Sequence, residues 1–347
     1  MKKNWKSLIV LTLVIAFLTA CSGGTAVTSG DSTTVETNEE EVQVTKTYKI
    51  GLAAKNLSDP FTAWQAQTIV DKASELYPEF DVTIVDCEGS TDKSISVVEN
   101  FIAQEVDIIL WQASDGTAEI DVVNQAFAAG IPVISLSNVI KDDNSYAIKS
   151  DPTTEGEIMG SYVASLLDSG EIEADANIFI MRAPDGSPTG NARTQGMMNS
   201  LFNVRDDVTL VEEKPANWDR AQAIALMEDW LTAYDDIDAV LCHNDAMALG
   251  AMEAIEAAGR IDEIKVFGID GLPEAIYSIS QGKMTGSVIQ DAITQADEAL
   301  LMCYQILVEE TTPSERVVYV DGEMISLAND NVQKWIDIMI EADNWDY

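Results

Sequence analysis

From residue 47 onward, short apolar runs alternate with longer segments in which apolar residues recur every three or four positions. The short runs predict strands, and the longer segments predict amphipathic helices. In the first half of the chain the predicted elements are strand 48–54, helix 61–77, strand 82–85, helix 92–104, strand 107–111, helix 118–129 and strand 132–136. Because these strands are apolar throughout, they predict a parallel sheet that helices cover on both faces.

The same pattern restarts after Asp151-Pro152. The predicted elements there are helix 154–167, strand 177–181, helix 191–202, strand 208–211, helix 221–231, strand 239–242, helix 245–258 and strand 265–269. Two such runs predict an α/β protein with two doubly wound, Rossmann-like lobes. Ligands of open α/β sheets bind beyond the carboxyl ends of the strands, so we expect a ligand cleft between the two lobes.

The N-terminal segment differs from this pattern. Three lysines precede an apolar run, residues 8–20, which is shorter than the roughly 18 residues needed to span a bilayer. The basic start, the short apolar core and the small residues at its end predict a secretory signal peptide over residues 1–20. The sequence Leu18-Thr19-Ala20-Cys21 resembles a bacterial lipobox, in which Cys21 is lipidated and becomes the first mature residue. An ordinary signal peptide with an incidental cysteine is the alternative.

Residues 21–46 are rich in Ser, Thr, Gly and Glu. This composition buries too little apolar surface to fold, so the segment predicts a disordered tether behind the lipidated cysteine. We therefore expect the protein to act outside the cytoplasm, anchored by lipid to the cell membrane. In a host with an outer membrane, the protein would lie on the periplasmic side.

Charge and composition narrow the possible partners. The chain carries 20 Lys and Arg against 59 Asp and Glu, a formal net charge of −39, which disfavours nucleic acid as a partner. The single histidine, His243, excludes a zinc site with two or three histidines, and we expect no metal or cofactor. Cys87, Cys242 and Cys303 lie in apolar contexts and predict buried free thiols, with one disulfide as the alternative.

The loops that follow the predicted strands carry aromatic rings and planar polar groups. These residues are Asp59, Phe61, Arg193, Trp218, Asn244, Asp270 and Gln290. The set suits a sugar, because rings pack on its C–H faces while carboxylate, amide and guanidinium groups pair with neighbouring hydroxyls. Structural roles remain open for single residues: Asp59 and Asn244 suit helix caps, and Trp218 suits a core position.

Three stretches of the sequence resemble bacterial type 1 periplasmic sugar-binding proteins of ABC importers. They are Trp218-Asp219-Arg220-Ala221-Gln222-Ala223, Asn244-Asp245-Ala246-Met247-Ala248-Leu249-Gly250-Ala251 and Val266-Phe267-Gly268-Ile269-Asp270-Gly271-Leu272-Pro273-Glu274-Ala275. The resemblance extends over about residues 48–335 and is strongest to the glucose/galactose-binding branch, followed by the ribose-binding branch. It implies two lobes joined by three chain crossings. We expect one lobe at 47–150 and 291–318, and the other at 151–290 and 319–347.

The resemblance also implies roles for residues of the first lobe. Asp59 would accept a hydrogen bond from a sugar hydroxyl, and Phe61 would stack on one face of the ring. Ser137 and Asn138 stand where the ribose-binding branch carries an Asp-Arg pair and the galactose-binding branch carries an Asn. We expect both residues to contact the ligand, and we expect this substitution to change which sugar is selected.

For the second lobe, the resemblance implies that Arg193 donates to sugar oxygens and that Trp218 stacks on the opposite face of the ring. Asn244 and Asp270 would pair with hydroxyls. Gln290 would lie at the hinge between the lobes and reach the sugar.

Together these features predict a monomeric receptor that captures a monosaccharide, an aldohexose or related pyranose, by hinge closure and presents it to an ABC permease. Two alternatives remain at this level. The same cleft would serve a receptor that reports sugar to a sensor kinase or chemoreceptor. The second alternative is a glycosidase that uses two carboxylates, such as Asp59 and Asp270. The sequence supplies no separate nucleophile, base or metal for it.

Overall fold

The computed structural model describes residues 46–114, 116–137, 140, 142–342 and 347. The predicted signal peptide, the lipidation site Cys21, the tether up to residue 45 and the predicted site residue Asn138 lie outside the described residues. No helix among the residues described is both long and apolar enough to cross a membrane.

The elements alternate between strand and helix along most of the chain. The first half contains β1 (Tyr48–Ala54), α1 (Pro60–Leu76), β2 (Phe80–Asp86), α2 (Thr91–Ala103), β3 (Ile108–Trp111), α3 (Ile120–Ala128), β4 (Val133–Leu136) and β5 (Tyr146–Lys149). The second half contains α4 (Pro152–Ser169), β6 (Ala176–Arg182), α5 (Pro188–Met197) with a π-helical turn (Met198–Phe202), β7 (Val208–Pro215), α6 (Arg220–Ala233), β8 (Ala239–Cys242), α7 (Asp245–Ala257), β9 (Lys265–Asp270), α8 (Pro273–Ser280) and β10 (Gly286–Ile289). The chain ends with α9 (Ala292–Leu307), β11 (Val317–Tyr319), β12 (Met324–Ile325) and α10 (Val332–Glu341).

The strands form two six-stranded sheets, which confirms the prediction of an α/β protein with two doubly wound lobes. The first sheet has the order β11-β5-β4-β3-β1-β2 and the second has the order β12-β10-β9-β8-β6-β7. All pairs in the first sheet are parallel, whereas β12 runs antiparallel to β10 at the edge of the second. The prediction of parallel sheets is confirmed for every strand pair except this one, whose partners are separated along the chain by α9 and β11.

The chain passes between the two sheets three times. The crossings follow β5 at Ser150, follow β10 at Gln290, and join β11 to β12 through residues 320–323. A backbone hydrogen bond of 2.9 Å from Val320 N to the Lys149 carbonyl ties the third crossing to the first. These three crossings are called the hinge below.

Both faces of each sheet are buried, which explains why the strands are apolar without alternation. Along β1, Ile50 and Leu52 pack in one cluster of buried apolar residues, whereas Ala53 packs in another. Along β8, Val240 and Leu241 likewise belong to different clusters. Successive side chains of a strand point to opposite faces, so a sheet between two helical layers requires apolar residues at every position.

Several elements were absent from the sequence prediction. It contained no strand at β5, β10, β11 or β12, and it ended β7 four residues too early. These strands are two to four residues long, too short for an apolar pattern to separate them from loops. The missed end of β7 has the sequence Glu-Glu-Lys-Pro at a sheet edge, where charged residues remain in water.

The cysteines of the folded region are free and buried, as the sequence predicts. Cys87, Cys242 and Cys303 form no disulfide. Burial raises the pKa of each thiol, that of Cys87 to about 11, because an apolar surrounding disfavours the thiolate.

Candidate functional site

A cleft of about 680 Å³ lies at the carboxyl ends of strands from both sheets. Its volume is within the usual range for small-ligand sites. The predicted site residues that line it are Asp59, Phe61, Ser137, Arg193, Trp218, Asn244, Asp270 and Gln290. The structure therefore brings together every predicted ligand contact that falls in its described part.

Two aromatic side chains reach this cleft from opposite lobes. Phe61 belongs to the first turn of α1, is 7% exposed and meets Trp64 edge to face, with 6.1 Å between ring centres. Trp218 lies in the loop after β7, where Asn217 and Trp218 both have positive φ, 58° and 64°. Two successive left-handed residues are costly without glycine, so the tertiary structure must hold this turn, a feature common at ligand sites. Phe61 and Trp218 pack with one shared apolar cluster.

Arg193 lies at the centre of the second lobe's polar groups. Its Nε donates to Glu155 Oε2 at 2.8 Å, and its Nη1 donates to the carbonyl oxygen of His243. Its Nη2 lies 3.8 Å from Asp270 Oδ1, and the guanidinium carbon lies 5.6 Å from the centre of the Trp218 ring. The side chain of Arg193 is only 2% exposed, so a sugar in the cleft meets a guanidinium that is already fixed in place.

Two glycines explain how α4 brings Glu155 to Arg193. A Cβ on Gly156 would lie 2.1 Å from the carbonyl oxygen of Arg193, and a Cβ on Gly196 would lie 2.1 Å from that of Thr153. Both distances are well inside van der Waals contact. Only glycine at these two positions lets α4 and α5 approach closely enough for the buried ion pair.

Asp270 ends β9 with a φ of 139°, which L side chains rarely adopt. The turn after it is held by Asp245, whose Oδ2 accepts from Leu272 N at 2.8 Å and whose Oδ1 accepts from Ser287 Oγ at 2.6 Å. Ser287 Oγ in turn accepts from Gly271 N at 3.1 Å. Burial raises the pKa of Asp270 above its usual range and raises that of Asp245 to about 6.

Two predicted ligand contacts also cap helices. Asp59 Oδ1 accepts from Thr62 N and Thr62 Oγ1, both at 2.9 Å, and Asn244 Oδ1 accepts from Met247 N at 3.0 Å. The structural role and the position in the cleft therefore coexist. A helix that follows a parallel strand begins at the carboxyl edge of the sheet, so its capping side chain stands where ligands bind.

Two further predicted residues lie at strand ends near the hinge. Ser137, directly after β4, has a φ of 63°, and its Oγ donates to Gln65 Oε1 at 3.3 Å. Gln290, directly after β10, donates through Nε2 to Asp270 Oδ1 at 2.6 Å and accepts from Ser150 Oγ at 3.2 Å. Gln290 therefore joins the Asp270 carboxylate to two of the three crossings.

Comparison with known proteins identifies this architecture. The family profile described as "Periplasmic binding protein domain" matches residues 50–311. The chain belongs to this family. Among curated relatives, the ribose import binding protein of Bacillus subtilis is 31% identical over 284 residues, which are 81% of this chain and 86% of that protein.

Solved structures of similar proteins agree with the assignment. An ABC transporter solute binding protein from Bacillus halodurans with bound myo-inositol has a TM-score of 0.74 at 30% identity, covering 84% of this chain and 98% of its own. An ABC transporter periplasmic solute binding protein from Actinobacillus succinogenes with bound D-allose has a TM-score of 0.75 at 26% identity, covering 83% and 99%.

The chain is therefore a type 1 periplasmic sugar-binding protein of an ABC importer and acts outside the cytoplasm. Proteins of this family bind their ligands without chemical change, so the chain is not an enzyme and the glycosidase alternative is wrong.

The residues of this periplasmic binding protein that line the cleft and that sequence reasoning missed include Lys55, Gln112 and Glu155. The first two directly follow the predicted strands 48–54 and 107–111, so the strand-end rule would have found them. Glu155 lies inside α4, where no local signal marks it. Burial lowers the pKa of the Lys55 amine, although the nearby carboxylates of Asp59 and Glu119 act in the opposite direction.

His243 has a structural role behind the cleft. Its Nδ1 accepts from Ala183 N at 3.1 Å, and its Nε2 lies 3.1 Å from Thr194 Oγ1. Burial lowers the pKa of the ring to about 3, so the imidazole is neutral at physiological pH. Because Nδ1 accepts a hydrogen bond, the ring proton resides on Nε2. The Nε2–H group therefore donates a hydrogen bond to the hydroxyl oxygen of Thr194. The neutral ring thus adds no positive charge beside Arg193.

Proposed function

We propose that this sugar-binding protein captures a neutral monosaccharide of pyranose size by closing its two lobes around it, and then delivers the sugar to the membrane permease. One observation carries the proposal: Phe61 from the first lobe and Trp218 from the second line the same cleft, together with carboxylate, amide and guanidinium groups. Only a closed cleft lets both lobes contact one ligand, so the ligand stabilises the closed form through contacts that the open form lacks.

The energetics favour a polyhydroxylated ring. Covering ~100 Å² of apolar sugar and side-chain surface contributes roughly 2.5 kcal/mol. A hydrogen bond to a charged partner contributes about 1.5–3 kcal/mol, and Arg193 and Asp270 both offer charged groups to neighbouring hydroxyls. A purely apolar ligand would displace water from these groups without offering hydrogen bonds in return, at a cost of similar size.

The charge of the cleft supports a neutral ligand. The cationic side chains that line it are Lys55 and Arg193, and the anionic ones are Asp59, Glu155, Asp185, Asp219 and Asp270. The guanidinium is already paired with a carboxylate at 2.8 Å. A sugar phosphate or a sugar acid would therefore meet an excess of negative charge in a partly buried site, where repulsion is weakly screened.

The relatives support a ligand with several ring hydroxyls. The structures from Bacillus halodurans and Actinobacillus succinogenes hold myo-inositol and D-allose, and the curated Bacillus subtilis relative is a ribose import binding protein. The nearest branch stays a prediction, as does the selection of an aldohexose. The choice among these ligands would depend on Ser137 and Asn138, where the sequence departs from the patterns of the related branches.

The proposed function is tested by isothermal titration calorimetry of the folded protein with D-glucose, D-galactose, D-allose, D-ribose and myo-inositol. We expect at least one of them to bind with micromolar or tighter affinity. Glucose 6-phosphate is the charge control and should bind at least tenfold more weakly than glucose, if glucose binds. Absence of heat and of thermal stabilisation with every neutral sugar would reject the proposal.

We also propose that Cys21 carries the lipid anchor, that residues 21–46 tether the monomeric sugar-binding region to the membrane, and that the lobes comprise 47–150 with 291–318 and 151–290 with 319–347. The lipobox-like sequence before Cys21 supports the anchor. In the native host, Cys21→Ser should move the protein from the membrane fraction to the soluble fraction. Retention in the membrane fraction by the variant would contradict lipidation.

A further inference from the structure

Two fully buried glutamines from different helices connect the cleft to the hinge. Gln65 belongs to α1 and Gln295 to α9, and both side chains have no exposed surface. Gln65 Nε2 donates to Gln295 Oε1 at 2.7 Å. Neither residue lines the cleft itself.

Gln65 holds the first lobe's strand ends. Its Oε1 accepts from Gln112 Nε2 at 2.8 Å and from Ser137 Oγ at 3.3 Å. Gln112 in turn donates to the carbonyl oxygen of Thr62 at 3.0 Å and accepts from Lys55 N at 3.1 Å. Through the amide groups of Gln65 and Gln112, the chain segments that follow β1, β3 and β4 are fixed relative to α1. These segments supply much of the first lobe's share of the cleft.

Gln295 continues the connection to the hinge. Its Nε2 donates to the carbonyl oxygen of Gln290. The side chain of Gln290 donates to Asp270 and accepts from Ser150, which lies on another crossing. An unbroken series of hydrogen bonds thus runs from the first lobe's strand ends, through the two buried amides, to the hinge and to the carboxylate of Asp270.

Because both amides are buried, this series of hydrogen bonds restricts how the hinge and the strand ends move relative to each other. A buried amide that loses a hydrogen-bond partner destabilises the fold, so the hinge and the strand ends must move together to keep both amides satisfied. Apolar side chains in the same space would pack α1 against α9 in many slightly different positions without such a penalty. The glutamine pair therefore specifies one relative placement of cleft and hinge.

We propose that Gln65 and Gln295 are positioning residues for ligand capture: they hold the first lobe's cleft segments in a fixed relation to the hinge crossing at Gln290. The inference rests on the proposed function for its ligand, but the coupling itself exists in the ligand-free protein. Sugar affinity thus depends on two side chains that do not touch the sugar.

The test uses the variants Gln65→Met, Gln295→Met and the double variant. Methionine has nearly the same length and volume but forms no amide hydrogen bond. Gln65→Met deprives Gln295 Oε1, Gln112 and Ser137 of a partner, and Gln295→Met deprives Gln65 Nε2 and the Gln290 carbonyl of one. The bond between the two amides is lost only once in the double variant. We therefore expect the double variant to lose less stability in urea unfolding than the sum of the losses of the two single variants.

Sugar affinity is expected to behave differently from stability. Calorimetry with D-glucose, D-galactose, D-allose, D-ribose and myo-inositol should show an affinity about tenfold lower in the double variant. A merely structural role predicts that the affinity losses of the three variants follow their stability losses. Thr68→Val is the matched control, because Thr68 is also buried on α1 and its Oγ1 has no partner among the described residues. This control should leave affinity unchanged.

A second measurement needs no sugar. Hydrogen–deuterium exchange of the ligand-free protein should be faster in the double variant at the segments 53–58, 110–114 and 288–292, and unchanged in Thr68→Val. Wild-type affinity within twofold, or unchanged exchange at these segments, would overturn the inference. If the wild-type protein binds none of the sugars, the proposed function fails, and exchange alone decides whether the glutamines couple cleft and hinge.

Discussion

Arg193→Met is expected to reduce sugar affinity by roughly 100-fold or more and to lower the free energy of unfolding by about 3–5 kcal/mol. The variant removes the only cation paired with the buried carboxylate of Glu155 among the described residues, and it removes the donor to the carbonyl of His243. It also leaves Asp270 without a neighbouring guanidinium. Calorimetric titration and urea unfolding measure the two effects separately.

The control for this prediction is Arg205→Met. Arg205 also forms two ion pairs, with Asp168 and Asp207, each at 2.7 Å, but they lie on the surface. Exposed pairs contribute at most about 1 kcal/mol, so this variant should bind sugar normally and lose little stability. Equal effects of the two arginine substitutions would show that the buried pair has no special role in the cleft.

Asp270→Asn is expected to change binding and stability in opposite directions. Sugar affinity should fall by on the order of 100-fold, because an amide replaces a carboxylate that accepts charge-assisted hydrogen bonds. The free energy of unfolding at pH 7 should rise, because burial raises the pKa of Asp270 and the carboxylates of Asp245 and Asp59 add to this, whereas Arg193 opposes it. Removing a disfavoured buried charge therefore increases the stability of the ligand-free protein.

The same substitution should alter the pH dependence of stability. A carboxyl group with a raised pKa holds its proton longer in the folded state than in the unfolded state. Its contribution to stability is therefore full at low pH and is lost as the pH rises from its unfolded pKa, near 3.8, toward its folded pKa. The stability advantage of Asp270→Asn should accordingly grow with pH over this interval.

Asp168→Asn provides the comparison for that pH profile, because the side chain of Asp168 is 70% exposed. We expect this variant to retain wild-type sugar affinity and a nearly wild-type dependence of stability on pH. A stability of Asp270→Asn that stays below wild type from pH 4 to pH 8 would contradict the explanation based on the buried charge.

The order of strands and helices was predictable because both sheets are buried on both faces. Strands such as β1 and β8 are then apolar at every position, and this signal is visible in the sequence alone. The short strands at the hinge carry no such signal. β12 has only two residues, and pairing with β10 makes it a strand.

The candidate site was predictable where its residues directly follow long strands. Asp270 and Asn244 could be found in this way, and the same rule extends to Lys55 and Gln112. Glu155 could not, because its functional partner Arg193 is 38 positions away on another helix. The approach of these helices depends on glycines, whose sequence neighbours give no indication of what they contact.

The sequence by itself determined a two-lobed α/β protein with a polar and aromatic cleft at the strand ends, because those properties follow from local patterns and chain order. The tertiary structure alone decided which polar groups meet. Gln65 and Gln295 are separated by 230 positions, yet their amides lie 2.7 Å apart. A hydrogen bond requires placement to within a few tenths of an ångström, and only the packing of complete helices against the sheets provides it.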